Sequence, residues 1–125
     1  LSAEGRDVVL TREPGGTDLG EQIRALVLGG VTMTAWAEAA LFAAARAELV
    51  ERVIAPALER GADVVCDRYI DSSLAYQALA RGLGIDCVLQ LNLRATRSAL
   101  PECVVLEGCA PAPFEQRSVA LRQSR

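Results

Sequence analysis

Two apolar runs stop abruptly at an acid beside an arginine: Val8-Val9-Leu10-Thr11-Arg12-Glu13 and Val64-Val65-Cys66-Asp67-Arg68. In an open α/β sheet, ligands bind at the carboxyl ends of the strands. There an arginine fork grips a phosphate, and an Asp or Glu holds a hydroxyl or a hydrated metal ion. Pro14-Gly15-Gly16 follows the first acid, and glycine lets a backbone approach a ligand closely. Two such ends in one small chain point to a phosphorylated substrate. Each has a plainer alternative: a solvated ion pair or turn where a strand meets its loop.

A second group of candidates falls on helical stretches. Phe42 and Arg46 are four apart and share a face. A ring and a guanidinium so placed hold a nucleobase, the ring by stacking and the fork by donating to a carbonyl edge. The alternative is a core phenylalanine beside an arginine whose head reaches water. Ser73, Tyr76 and Gln77 form a hydrogen-bonding stripe after Asp67-Arg68, suited to a sugar or a base. A half-exposed polar face is the competing account. Arg24 lies on the helix after the glycine loop, where a surface cation is the plain reading.

The elements that position these residues alternate between strand and helix. Leu1–Arg6 reads as the tail of a helix running out through Gly5, and Asp7–Thr11 as a short buried strand. After the Pro14-Gly15-Gly16 loop, Thr17 or Asp18 caps a helix to about Leu28, with Glu21 in its first turn. Thr34 to about Arg60 is the longest helical stretch, and Pro56 is expected to kink or divide it. Val64–Cys66 is the second strand. Asp71 or Ser72 is expected to cap a helix through about Ala80. Asp86 to about Ser98 makes another helix, and Cys103–Leu106 a third strand. From Gly108 onward the chain reads as an irregular or frayed tail, giving one domain over 1–107 and a tail over 108–125. This order predicts an α/β fold with a parallel sheet covered by helices.

The bulk numbers narrow the chemistry. The chain has 125 residues, enough for one core, and 51% are hydrophobic, which excludes a disordered segment. All 13 cationic residues are arginine; lysine and histidine are absent. That excludes a lysine nucleophile, a histidine base and a histidine metal site. A net charge of −3 with no basic face speaks against nucleic-acid binding. No apolar run reaches the roughly 18 residues of a membrane span, and no basic-then-apolar leader opens the chain. Cys66, Cys87, Cys103 and Cys109 form no Cys-x-x-Cys pair, so buried thiols in a reducing cytoplasm are expected. The first residue is Leu1 rather than Met, so a piece of a longer protein is expected.

Three segments together resemble the thymidylate kinases. Thr11-Arg12-Glu13-Pro14-Gly15-Gly16-Thr17 is similar to the family's substrate-site loop. Leu41-Phe42-Ala43-Ala44-Ala45-Arg46 resembles its thymine-binding helix. Asp67-Arg68-Tyr69-Ile70-Asp71-Ser72-Ser73-Leu74-Ala75-Tyr76-Gln77, followed by Arg81-Gly82, is similar to the bacterial version throughout. The resemblance runs from about Gly5 to Leu106. It implies a three-layer P-loop kinase fold and Mg²⁺-assisted transfer of the γ-phosphoryl group of ATP to dTMP. It implies that Phe42 stacks on thymine, Arg46 donates to a thymine carbonyl, Ser73 and Gln77 meet the base, and Tyr76 packs near the deoxyribose. Arg68, Arg24 and Arg12 would bind the dTMP phosphate. Glu13 and Asp67 would hold magnesium through water or orient the reacting phosphates. It also implies a homodimer through the helix at 34–60.

The family's first strand, its P-loop G-x-x-x-x-G-K-[ST] and its lid have no counterpart in these residues, and without lysine no copy hides elsewhere. The dTMP half of a kinase site is therefore expected here without the ATP half. The missing strand would lie between the second and third strands, so two unpaired sheet edges are expected to face a gap unless the strands pair directly or a partner fills it. A non-catalytic dTMP-binding or dimerisation module is the alternative function; a deoxynucleoside kinase-like relative fits the Thr11–Thr17 loop less well.

Overall fold

Strand β1, Val8–Arg12, pairs in parallel with β2, Asp63–Asp67, placing Arg12 opposite Asp67. The two strand ends singled out in the sequence therefore lie side by side. The structure is a computed structural model that describes residues 5–106 and 117–121. The helix expected over Leu1–Arg6 falls largely outside these residues.

Between the strands run three helices: α1 (Asp18–Leu28), α2 (Ala35–Leu49) and α3 (Ala55–Glu59). Thr17 caps α1 by accepting from the Gly20 amide at 3.0 Å, and Thr34 caps α2 by accepting from Ala37. The expected division near Pro56 takes the form of a π-helical turn, Val50–Ile54, between α2 and α3. Pro56 has no N–H to give, and at the second position of α3 it needs none.

After β2, helix α4 (Ile70–Ser73) opens without a side-chain cap at Tyr69 and widens into a π-helical stretch, Leu74–Ala80. Asp71 and Ser72, expected as caps, are instead inside the helix. Helix α5 (Ile85–Ala95) stops earlier than expected, because Arg97 and Ser98 adopt positive φ values of 52° and 60°.

Strand β3 is Cys103–Leu106 as expected, but the tail contains a further strand, β4 (Arg117–Leu121). The sheet order is β1-β2-β4-β3, and β4 runs antiparallel to both neighbours. Strands β1, β2 and β3 thus share one direction. The gap expected between β2 and β3 is filled by the chain's own tail, which supplies backbone partners to both edges. The rest of the tail lies outside the described residues.

The core sits on one face of the sheet, where Val64 and Cys66 meet Leu49, Ile54, Ala57 and Tyr69. Leu10, on the opposite face, is 76% exposed. Among the described cysteines only Cys66 is buried; Cys87 and Cys103 are exposed, correcting the expectation of buried thiols. No helix of the described residues is long and apolar enough to cross a membrane.

Val119 stands between Cys66 and Val104. Proline cannot supply a ladder hydrogen bond and is poorly tolerated between two strands. Val119→Pro is expected to lower the melting temperature and speed amide exchange in both β2 and β3. Unchanged protection of those amides, read by hydrogen-exchange mass spectrometry, would show that β4 does not hold the sheet together.

Candidate functional site

A cavity of about 600 Å³ opens beside the ends of β1 and β2, bounded by residues of α1, α2 and the helix after β2. That volume suits a small-molecule ligand. Glu13, Arg24, Phe42, Arg46, Arg68, Ser73, Tyr76 and Gln77 all line it. The other two candidates do not. Arg12 is half exposed and pairs with Glu21 at 3.1 Å. Asp67 adjoins the cavity's edge: its carbonyl oxygen accepts from the Glu13 amide at 2.9 Å.

Arg46 organises the cavity wall. It is 1% exposed, which rules out the reading in which its head reaches water. Its Nε donates to Glu13 Oε2 at 2.5 Å, and its Nη2 donates to the Tyr69 carbonyl at 3.1 Å. Nη1 donates to Ser73 Oγ and to Asn92 Oδ1. The guanidinium also stands 5.4 Å from the centre of the Tyr69 ring. A guanidinium has five N–H groups, so four are engaged and one on Nη2 remains.

Asn92 was not evident among the sequence candidates. It lies on a buried stripe with Val88 of α5 and Thr96 at that helix's C-terminal cap, and its own amide donates to the Val88 carbonyl at 2.7 Å. The signal was a polar residue spaced four from buried neighbours on an amphipathic helix. Glu38 was missed as well. Its Oε1 accepts from Gln77 Nε2 at 2.9 Å and its Oε2 from Arg81 Nη2 at 2.8 Å.

The cationic groups differ in commitment. Arg24 donates to the Pro14 carbonyl at 2.9 Å. The Arg68 side chain makes no hydrogen bond or ion pair among the described residues; its guanidinium lies 5.8 Å from the Tyr76 ring centre. Its backbone has φ 67°, a left-handed conformation that costs a non-glycine residue about 1 kcal/mol or more and that clusters at functional sites. The loop before α1 is equally constrained. Gly16 has φ +77°, and a Cβ there would meet Thr11 Oγ1 at 2.5 Å.

Glu13 is 3% exposed, and its Oε1 has no partner among the described residues. Burial raises its pKa from 4.5 to about 7, with Arg46 opposing the rise. Asp67 Oδ1 is also buried without a partner among the described residues. Two unpartnered carboxylate oxygens at adjacent strand ends fit a hard, hydrated cation such as Mg²⁺. No cluster of three metal-ligating side chains exists among the described residues, so waters or phosphate oxygens would complete such a site. Burial also pushes the Cys66 thiol and the Tyr69 phenol well up, leaving neither ionised at neutral pH.

In the unfolded chain Glu13 titrates near 4.5; folded, near 7. Between those values the native state holds the extra proton, so raising the pH destabilises it, with no further loss above about 7. Relative to Glu13→Gln, the wild-type chain is expected to lose up to roughly 3 kcal/mol of stability across that window. Urea denaturation at a series of pH values checks this, and a pH-independent difference would contradict it.

The chain matches the protein-family model "Thymidylate kinase" over residues 1–125. It is 50% identical over 113 residues to a thymidylate kinase of Bacillus velezensis, covering 89% of this chain and 53% of that protein. It is 57% identical over 104 residues to that of Anoxybacillus flavithermus, covering 81% of this chain and 49% of that one. A crystal structure of thymidylate kinase from Ehrlichia chaffeensis superposes with a TM-score of 0.68 at 40% identity, covering 71% of this chain and 50% of that one. The chain thus spans about half the length of the curated relatives it matches. The α/β architecture built around a parallel strand pair agrees with that neighbour, and the motifs at the strand ends and on α2 lie within the matched region. On both sequence and structure, this chain belongs to the thymidylate kinase family.

Proposed function

We propose that the cavity binds dTMP, as the phosphoryl acceptor in the reaction of dTMP and ATP to dTDP and ADP. The observation that carries this is a single cavity lined by an aromatic ring, a buried guanidinium with one N–H left to give, and two arginines suited to phosphate. Relatives named thymidylate kinase support it.

In this reading Phe42 stacks on thymine and Arg46 donates its remaining N–H to a base carbonyl. Ser73 and Gln77 meet the base edge, and Tyr76 packs near the deoxyribose. Arg68 and Arg24 hold the phosphate, with Arg12 contributing from outside the cavity if its pair with Glu21 opens. Glu13 and Asp67 hold a hydrated Mg²⁺. Bound there, Mg²⁺ supplies charge neutralisation for in-line phosphoryl transfer. The chain's own part is positioning and charge complementarity, with no covalent intermediate required.

The 125 residues contain no lysine and therefore no P-loop sequence to cradle ATP. We accordingly assign these residues the dTMP side of the reaction, and expect no turnover from them alone. A non-catalytic dTMP-binding or dimerisation role is the second reading. A homodimer through the 34–60 helix belongs to the proposal; Trp36, 49% exposed near the start of α2, is available to such an interface. A cytoplasmic location fits a nucleotide substrate.

Titration calorimetry of the 125-residue chain is expected to show saturable binding of dTMP and none of ATP, and a dTDP assay to stay at the no-protein level. Arg68→Ala is expected to weaken dTMP about tenfold to a hundredfold, the worth of a charged hydrogen bond, and to leave thymidine binding unchanged. Saturable ATP binding without dTMP binding would reverse the assignment.

A further inference from the structure

The orientation of Gln77 follows from its neighbour. Gln77 is 2% exposed, lines the cavity and donates from Nε2 to Glu38 Oε1 at 2.9 Å. A carboxylate only accepts, so the nitrogen end of the amide has to face Glu38. The carbonyl end then turns away from Glu38. No hydrogen bond to it is made among the described residues, so an acceptor remains on a side chain that lines the cavity.

Glu38 is itself held. Its second oxygen accepts from Arg81 Nη2 at 2.8 Å, and all three side chains line the same cavity. Rotating the Gln77 amide by half a turn would set carbonyl against carboxylate and abandon a hydrogen bond to a charged group. The Glu38–Arg81 pair therefore fixes the polarity of a side chain that is otherwise free to present either a donor or an acceptor.

We propose that Glu38 is a specificity-determining residue: by holding the Gln77 amide with its acceptor free, it selects bases that carry an imide N–H. This rests on the dTMP reading of the cavity. Thymine and uracil present N3–H between two carbonyls. Gln77 accepts from N3–H while the remaining Arg46 N–H donates to a flanking carbonyl. Cytosine presents a lone pair at N3, which would oppose the Gln77 carbonyl, and a buried polar group left unpaired makes rejection strong. Glu38 acts through Gln77 and is a positioning residue.

The test is calorimetry of the 125-residue chain with dTMP, dCMP and N3-methyl-dTMP, on wild type, Glu38→Gln and Arg81→Ala. Wild type is expected to prefer dTMP to each of the other two by about a hundredfold or more. In Glu38→Gln the neighbour offers both a donor and an acceptor, so Gln77 is free to turn. The dTMP-to-dCMP ratio is expected to fall about tenfold, through a gain for dCMP as well as a loss for dTMP. A merely structural role would weaken both nucleotides together. Arg81 is exposed, so Arg81→Ala tests the same device without disturbing the core, and a smaller fall in the ratio is expected. An unchanged ratio in both folded variants, or in Arg81→Ala alone should Glu38→Gln fail to fold, overturns the proposal. So does a wild type that binds dTMP and dCMP equally, and that result leaves the dTMP site standing. A wild type that binds none of the three removes the site and this inference with it.

Discussion

The buried pair of Arg46 and Glu13 is the constraint on which the site depends. Removing two charges from water costs several kcal/mol per ion, and the mutual attraction recovers this only with good geometry and further hydrogen bonds. Arg46 gathers those bonds from just beyond β1, from both ends of the short α4 and from α5. The exposed Arg52–Glu48 pair on one helix face is worth a few tenths of a kcal/mol by comparison. Removing Glu13 would strand the buried Arg46 guanidinium at a cost near 3–5 kcal/mol, a large share of the 5–15 kcal/mol that stabilises a domain, whereas Glu13 deprived of Arg46 would take up a proton. Such a pair adds little net stability, but it allows one arrangement of the elements around it and no other. The cavity wall is thereby set before any ligand arrives.

Strand pairing delivers the acids to that wall. Parallel register puts Arg12 opposite Asp67, so the residues just beyond each strand, Glu13 and Arg68, emerge together. The chain then turns sharply on both sides: through Gly15 and Gly16 after β1, and through the left-handed Arg68 after β2. Each turn leads into a helix that contributes to the site, Arg24 from α1 and Ser73 from α4. Sheet and turns are thus one device, and the tail strand β4 completes the sheet on the side where β2 would otherwise be an edge.

Local spacing made much of this legible. Phe42 and Arg46 four apart, and Ser73, Tyr76 and Gln77 on one stripe, could be placed on faces because helical period is a local property. The strand ends were legible because an apolar run that stops at a charge is visible without a fold. Asn92 and Glu38 were not, because their partners lie 46 and 39 residues away and nothing local distinguishes a polar residue facing water from one facing a buried guanidinium or amide. The widened helical turns escaped for a different reason: side-chain pattern barely changes when backbone bonds shift by one residue. Strand β4 escaped because an antiparallel strand between two others is held by its backbone, and Arg117-Ser118-Val119-Ala120-Leu121 carries little of the alternation that marks a strand.

Arg46 and Arg68 show how one residue type takes two roles from its surroundings. Arg46 has four of its five N–H groups committed and no freedom to follow a moving ligand, which suits a flat, neutral base edge that must be read in one orientation. Arg68 has no committed N–H among the described residues and rests on an aromatic ring, whose flat face supports a guanidinium without consuming its donors. An uncommitted fork is what a phosphate requires, because a multiply charged group with several equivalent oxygens rewards bidentate contact over fixed polarity. Discrimination and charge binding therefore fall to different arginines, and burial decides which does which.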